Sequence, residues 1–383
     1  MSIWRSPVFY FGIILVSVVL AAVAAPFVVP WNNYRDDLER FGQKLTGRDV
    51  SIDGDIAIKL FPWPQLEAQR VVIGNLDGFS DDAFVKADVV RMSLSLAGLF
   101  SGTLNVESVD VEELQVNLQR NASGNVNWIF APQAQVTGQG LLSRVKLDQI
   151  NVSDGLVSFD DLRNGHSGVF AGLNARLSAQ SVLGPWRMQG NAKWNDLPFG
   201  LVVTTSEKQL DEPLKFTVKL SPLDLNYPLA SVEGGWDGSQ FKGAVRLDPQ
   251  EVTAEKTSVE AAFKPLAMQA QVEASTERMS FLKIRIAPSD RKDSGTLIEG
   301  DAVVEFGSQA QAKVELKAPR INMDTIVGAA ALQHWRDGGF LKLANQFMAL
   351  LPVKLVADYS LNVSVLTSKG QALNDVQLSG ALQ

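Results

Sequence analysis

The sequence contains no cysteine and only two histidines, His166 and His334. Disulfides are therefore excluded, and no thiolate is available as a metal ligand or a nucleophile. Nothing in the sequence pairs either histidine with a nucleophile, so imidazole catalysis is not indicated. We expect a protein that is not an enzyme and that uses no cofactor and no metal ion.

The charge balance excludes one class of partner. The 383 residues carry 35 Lys and Arg against 42 Asp and Glu, which gives a formal net charge of −7. Nucleic-acid binding normally requires a basic patch, so we expect no nucleic-acid partner. The sequence also lacks a linker rich in Gly, Ser or Pro, and we therefore expect one continuous architecture.

One long apolar run lies near the amino terminus. Residues 8–29 carry no charged side chain, and Pro30 follows them. At about 1.5 Å per residue, a helix of this length would cross the roughly 30 Å hydrocarbon core of a bilayer. A cleaved signal peptide is the alternative, but the run is longer than the usual apolar core of such a peptide. Arg5 precedes the run, so the positive-inside tendency predicts a cytoplasmic amino terminus and export of the remainder.

Apolar residues at helical spacing predict short amphipathic helices in two places. In residues 33–45, Tyr34, Leu38 and Phe41 recur at intervals of three or four. This helix is interpreted as a cap on the following sheet, with a position on the membrane surface as the alternative. Helices over residues 325–351 are interpreted as packing on the sheet, with the same alternative.

Alternation of apolar and polar residues dominates the rest of the chain. It begins on both sides of an expected tight turn at residues 53–55 and recurs to the end. Such alternation predicts an antiparallel sheet with one dry face and one wet face. Roughly fifteen to twenty strands are more than a flat open sheet tolerates, so the sheet must curl or split into sandwiches.

Several stretches in the first 160 residues resemble the amino-terminal signature of the AsmA family of Gram-negative envelope proteins. The apolar helix at the start is one part of this resemblance. The others are residues 45–56, 61–64, 94–106, 124–130 and 147–161. Residues 124–130 carry the Gly-x-x-Asn-Trp element of that signature, here as Gly124, Asn127 and Trp128.

The resemblance implies an inner-membrane anchor, a periplasmic body and a role in outer-membrane biogenesis. AsmA-like proteins are related to bridge-like lipid-transfer proteins, whose curled sheets form a trough with an apolar lining. The implied function is transport of phospholipid along such a groove between the inner and outer membranes. The alternative is a tethered scaffold that acts with envelope protein partners in assembling outer-membrane proteins and in their targeting to the membrane, without carrying lipid.

The expected organisation combines these features. A transmembrane anchor covers residues 1–30, an AsmA-type β region 31–160 and a continuing antiparallel sheet 161–320. A helical insertion covers residues 321–352, and further strands over 353–383 would begin a longer domain if this chain is a portion. The fold class is thus mainly β, a long curled, trough-like antiparallel sheet behind one transmembrane helix.

A set of alternating apolar residues would line the groove. From the pattern alone, the packed core of a β-sandwich is the favoured explanation of the same residues, and the family resemblance reverses that preference. The expected lining residues are Val90, Met92, Leu94, Leu96, Leu104, Val106, Leu114, Val116, Leu118, Leu214, Phe216, Val218 and Leu220.

Overall fold

A computed structural model gives the fold of most of the chain. It describes residues 30–59, 63–95, 106–128, 147–163, 165–179, 184–207, 209, 212–225, 227–250, 266–288, 297–307, 310–323, 355–368 and 370–382. The predicted transmembrane segment at 8–29 and the predicted helices at 325–351 lie outside these residues. Across the described ranges, no helix is both long enough and apolar enough to span a membrane.

A short helical segment precedes the sheet. A 3-10 turn covers Trp31–Tyr34 and helix α1 covers Arg35–Thr46, which confirms the helix predicted over residues 33–45. Helix α1 ends at Gly47, whose φ of 69° lies in the left-handed region that glycine adopts without steric cost.

Nineteen strands follow in the described part of the chain, a number within the predicted range. The first nine are β1 (Val50–Ile52), β2 (Ile56–Lys59), β3 (Gln65–Ile73), β4 (Val85–Leu94), β5 (Val106–Glu112), β6 (Gln115–Arg120), β7 (Leu147–Asp161), β8 (His166–Ala179) and β9 (Trp186–Trp194). The others are β10 (Leu197–Thr205), β11 (Leu214–Pro222), β12 (Leu229–Trp236), β13 (Phe241–Asp248), β14 (Leu266–Ala274), β15 (Arg278–Pro288), β16 (Ile298–Glu305), β17 (Ala310–Asn322), β18 (Leu355–Ser368) and β19 (Gln371–Leu382).

Most strands pair with their neighbours in sequence, and they do so antiparallel. Two pairs are parallel, β5 with β7 and β17 with β18, so the sheet is mixed and the prediction of a purely antiparallel sheet was wrong. A parallel pair needs a crossover of about a dozen residues or more to return the chain to the same end of the sheet. The long connections over residues 121–146 and 323–354 supply that length.

The expected tight turn at residues 53–55 is absent from the described fold. Strands β1 and β2 do not pair with each other, and both lie antiparallel along β3. The Gly54 N–H donates to the Gln69 carbonyl at 3.0 Å, so hydrogen bonding to β3 continues through the link. Because Gly54 lies against the Gln69 backbone with no room for a Cβ, residues 53–55 form a kink in one edge strand rather than a reversal.

The side chains of the helical segment cover the free edge of β1 and β2. The Ile52 N–H donates to Glu39 Oε1 at 2.8 Å, and the Ile56 N–H donates to Asn32 Oδ1 at 3.0 Å. Unpaired N–H groups on an edge strand invite pairing with other chains, and these two acceptors occupy them. The helix is therefore a cap on the sheet, as interpreted from the sequence.

The chain divides into two compact units. Unit 1 comprises Met1–Leu118, Val126–Val157 and Asn174–Val182, and unit 2 comprises Gln119–Asn125, Ser158–Leu173 and Leu183–Gln383. In unit 1, Ile52, Ile56 and Ala68 form a buried cluster against which Trp31 and Leu38 pack. In unit 2, one buried cluster is centred on Ala270, Ile284 and Ala302 and another on Ala318, Ile321 and Val363.

Candidate functional site

The strand register of unit 2 aligns apolar residues into rows that cross many strands. Residues directly opposite each other in neighbouring strands point to the same face of a sheet. One row crosses eight strands, from β9 to β16, without a polar side chain. Its members are Gly190, Leu201, Leu220, Ala230, Leu247, Met268, Ile286 and Ile298.

Two further rows follow the first on the same face. The adjacent row contains Met188, Val203, Val218, Val232, Val245 and Ala270. The next row in the same direction contains Phe216, Gly234, Gly243, Val272, Phe281, Ala302 and Val314. We call the three rows together the apolar face of unit 2.

Burial on the apolar face is uneven. Ala270, Val272 and Ala302 are buried, as are Ile284 and Phe241 on the same face, whereas the leucine, methionine, isoleucine and phenylalanine side chains of the three rows are only partly buried. In a packed sandwich core, the second sheet would bury the largest side chains most completely. The apolar face thus keeps its large side chains accessible in part.

The opposite face of the same strands is polar. The row adjacent to Leu220 on that face contains Lys219, Ser231, Arg246, Gln269, Arg285 and Glu299. Arg246 pairs with Asp248 at 2.8 Å and Arg285 pairs with Glu299 at 3.3 Å, both in exposed positions. The sheet of unit 2 therefore has one wet face and one apolar face, as predicted.

A bulge in β15 keeps its apolar residues on one face. The register shifts between Phe281 and Ile284, and Lys283 between them has a φ of 53°. The Lys283 N–H donates to Asp301 Oδ1 at 2.9 Å. Phe281 opposes Val272, whereas Leu282 opposes Gln271, so simple alternation back from Ile286 and Ile284 would place Leu282 on the wrong face. An inserted residue reverses the alternation locally, which period-two reading cannot detect.

An aromatic pair lies over two glycines on the apolar face. Phe216 and Phe241 stack with ring centroids 5.1 Å apart. Gly234 and Gly243 are directly opposite each other, and a Cβ on either residue would overlap the Phe241 ring. The glycines are needed because the ring occupies the space that their side chains would take. Sequence reasoning missed these positions, since glycine dilutes an apolar alternation.

The structure places the predicted lining residues in both units. In unit 1, Val90, Met92 and Leu94 of β4 oppose Val111, Val109 and Val106 of β5. The described lining residues of unit 1 are all partly buried: Val90, Met92, Leu94, Val106, Leu114, Val116 and Leu118. Leu214, Phe216, Val218 and Leu220 lie together on β11 of unit 2 and are also partly buried. Leu96 and Leu104 lie outside the described residues, and the contact of this set with lipid stays a prediction.

Charged residues form a ladder on the polar face of unit 1. Arg91 lies 3.2 Å from Glu67 and 2.5 Å from Glu112, and Lys59 lies 2.9 Å from Glu67. The hydrogen bond from Lys59 lowers the pKa of Glu67 against the opposing effect of its partial burial. The hydrogen bond to Glu112 raises the pKa of Arg91. Glu67 and Arg91 therefore stay charged at neutral pH, which keeps this face hydrated.

A buried polar cluster in unit 1 joins two of the stretches that resemble the family signature. Arg48 is 4% exposed, donates through Nη2 to the Asn127 carbonyl, and lies 4.2 Å from the centre of the Phe84 ring. The Asn127 amide donates to the Asn117 carbonyl at 2.8 Å and to Asn75 Oδ1 at 3.1 Å. Burial lowers the pKa of Arg48, although an arginine stays charged. The alternation of apolar and polar residues gave no signal for this cluster. Its hydrogen bonds hold the two stretches together.

A second charged cluster lies in unit 2, at the end of β7. Asp161 accepts hydrogen bonds from Arg163 at 2.9 Å and from Arg120 at 3.4 Å. Burial alone would raise the pKa of Asp161, but hydrogen bonds and charge from Arg163, with the charge of Arg120, lower it overall. Arg163 also donates to the Thr276 carbonyl, in the turn between β14 and β15, at 3.5 Å. In the described part of the chain, no group of three acidic or histidine side chains could hold a metal ion.

Comparison with known proteins gives one match. The model of the AsmA family matches residues 6–326, well over half of the 383 residues. The matched range includes every stretch that resembles the family signature and extends through unit 2 as far as β17. No curated protein and no solved structure shows a significant match.

Proposed function

Because the chain belongs to the AsmA family, we propose that it carries phospholipid along the apolar face of its sheet, as an inner-membrane-anchored periplasmic protein of outer-membrane biogenesis. Residues 8–29 would span the inner membrane once, with the amino terminus in the cytoplasm. The strands would then stand in the periplasm. Lipid would move between the inner and outer membranes with its acyl chains on the apolar face and its head group toward water.

The observation that carries this proposal is the partial burial of the large side chains in the three rows. Partly exposed Leu201, Leu220 and Leu247 offer apolar surface along a line that crosses the strands. Covering such surface with an acyl chain is favourable by about 25 cal/mol per Å² and requires no directional contact. A lipid could therefore shift from one strand to the next with little change in free energy, as transport requires.

The contact between Arg163 and Thr276 supports a curved sheet within unit 2. Their turns follow β7 and β14, which are seven strand positions apart in the pairing order. In a flat sheet, seven steps of about 4.8 Å would separate these turns by at least roughly 34 Å. The hydrogen bond of 3.5 Å between them supports a curved course of the intervening strands. Curvature would give the apolar face the form of a trough.

Photocrosslinking in living cells would test lipid contact directly. Benzoylphenylalanine would replace Val218 or Leu220, which lie on the apolar face, in cells labelled with radioactive phosphate. The matched controls replace Lys219 or Ser221, which lie on the same strand but point to the polar face. After irradiation, we expect radioactive phospholipid on the protein labelled at Val218 and Leu220 and little on the controls.

The opposite outcome would contradict transport. If all four positions show the same low labelling while the proteins accumulate normally, the apolar face holds no phospholipid. The chain would then act as a membrane-tethered scaffold for assembly of outer-membrane proteins.

A further inference from the structure

Helix α1 has an exposed aromatic flank that does not belong to the buried cluster of unit 1. Tyr34, at its amino-terminal cap, is 50% exposed and Phe41 is 46% exposed. The two residues are seven positions apart, a spacing that places them on the same side of a helix. The Tyr34 ring lies 5.9 Å from that of Trp31, which packs against the buried cluster of unit 1. We call Tyr34 and Phe41 the aromatic flank.

The other side of α1 is occupied by contacts with the sheet. Glu39 accepts the Ile52 N–H, and Arg35 donates to the Gly54 carbonyl at 2.8 Å. Gly42 lies so close to Val50 that an added Cβ would stand 3.0 Å from it. These contacts fix the rotation of the helix about its axis, so the aromatic flank is held away from β1.

Charges beside the aromatic flank are compatible with a phospholipid surface. Asp37 and Arg40 form an ion pair of 2.5 Å and balance each other. Lys44 is exposed in the last turn and forms no ion pair within the described residues. A lysine beside aromatic rings is the arrangement that interfacial helices use, since the ammonium contacts lipid phosphates while the rings enter the head-group region.

The position of the flank in the chain selects the bilayer over other occupants. Tyr34 follows Val29, the last residue of the apolar run, by only five positions. Five residues reach at most about 18 Å even when fully extended. The head-group region on each side of the hydrocarbon core is about 5 to 8 Å deep. A tether this short holds Tyr34, and with it the amino-terminal end of α1, close to the membrane surface.

We propose that the aromatic flank of α1 lies in the head-group region of the membrane in which residues 8–29 are anchored, with Lys44 on the lipid phosphates. This inference rests on the anchor included in the proposed function. Helix α1 then has a different role on each side. One side covers the edge of β1 and β2, and the aromatic flank contacts lipid. The first strands of the sheet would be held at a fixed angle to the membrane.

The absence of cysteine makes a direct test possible in the full chain. Single cysteines would replace Phe41, Tyr34 or, as the control, Asp36, and each would carry a nitrobenzoxadiazole fluorophore. Asp36 is also exposed and forms no side-chain hydrogen bond or ion pair in the described structure, but it lies about 140° around the helix from Phe41. Each protein would be reconstituted into vesicles of phosphatidylethanolamine and phosphatidylglycerol, with and without lipid that carries a nitroxide quencher.

We expect roughly twofold quenching and a blue-shifted emission at Phe41 and Tyr34, with neither at Asp36. Equal quenching at Phe41 and Asp36, or a Phe41 label that is shielded from water but not quenched by lipid, would overturn the inference. Flotation of the same vesicles distinguishes failure of this inference from failure of the membrane anchor in the proposed function. A protein that fails to float with the vesicles has no anchor, which would sink the anchored form of the proposed function as well.

Discussion

The Arg163 guanidinium donates to the Thr276 carbonyl at 3.5 Å across 113 positions of sequence. The same guanidinium also donates to Asp161 at 2.9 Å. This second bond orients the Arg163 side chain toward Thr276. The contact thus joins the turn after β7 to the turn after β14. A single side chain therefore links two turns that lie seven strands apart in the pairing order.

Replacing Arg163 by alanine should destabilise the protein measurably. The variant loses the bond to Thr276 and leaves the buried Asp161 with one arginine instead of two. Because Arg163 is partly exposed, we expect a loss of about 2 kcal/mol in the free energy of unfolding. Urea denaturation of the two proteins would measure it. The control Arg187→Ala removes an exposed arginine on β9 that forms no ion pair within the described residues. It should cost under about 0.5 kcal/mol, and equal losses would contradict the assigned role.

Titration of Asp161 should also make the free energy of unfolding fall at acidic pH. Its pKa in the folded protein lies below the ordinary aspartate value, because the arginines outweigh the effect of burial. A lowered folded pKa means that the contribution to stability is complete above the unfolded pKa. It is lost as the pH falls through the folded value.

The measurement is the free energy of unfolding at several pH values between about 3 and 6. The wild-type protein should lose stability toward the acid end, and Asp161→Asn should show a shallower decline. Asp160→Asn provides the matched control, because Asp160 is adjacent and forms none of these ion pairs. If both variants follow the wild-type slope, Asp161 does not titrate as its surroundings require.

Much of the fold followed from alternation, because the period of side chains in a strand is a local property. The alternation predicted a wet and a dry face, and β11 shows both in Leu220 and Lys219. The parallel pairs were not predictable in this way, since alternation is the same in either direction. They depend on where a long connection returns the chain, which is a property of the whole fold.

Other features were hidden because they break the period. The bulge at Lys283 moves Phe281 into the place that simple alternation gave to Leu282. The contact between Arg48 and Asn127 crosses 79 positions and has no periodic signal at all. The family resemblance pointed to both of their stretches, but only the structure shows that the two residues meet.

Arg48 should be difficult to replace. Its guanidinium is buried against the Phe84 ring and donates to the Asn127 carbonyl. Arg48→Ala leaves that buried carbonyl without this donor and opens a cavity, so we expect a loss of about 3 kcal/mol in the free energy of unfolding. Arg48→Lys keeps the charge but not the planar group, and it should recover less than half of the loss. Full recovery by lysine would show that charge alone matters here.

Glycines within the strands should differ sharply in their tolerance of alanine. A Cβ on Gly300 would overlap the Glu315 carbonyl oxygen and crowd the backbone of Leu316. A Cβ on Gly200 would meet its nearest atom, the Ser221 oxygen, at 3.7 Å, which is ordinary contact. Gly300→Ala should therefore lower the stability by about 2 kcal/mol or more, whereas Gly200→Ala should be neutral within about 0.5 kcal/mol. Thermal unfolding of both variants would measure these losses, and equal losses would contradict the prediction.

A charge placed on the apolar face should block lipid without unfolding the sheet. In a protein carrying benzoylphenylalanine at Val218, Leu220→Asp adds a carboxylate to the apolar face, two residues away on the same strand. Because desolvating a carboxylate against an acyl chain is costly, we expect lipid crosslinking at Val218 to fall by about tenfold. Ser221→Asp adds the same charge to the exposed polar face and should leave crosslinking unchanged. Circular dichroism would verify that both variants keep their strands, and undiminished crosslinking in a folded Leu220→Asp protein would show that lipid does not run along this face.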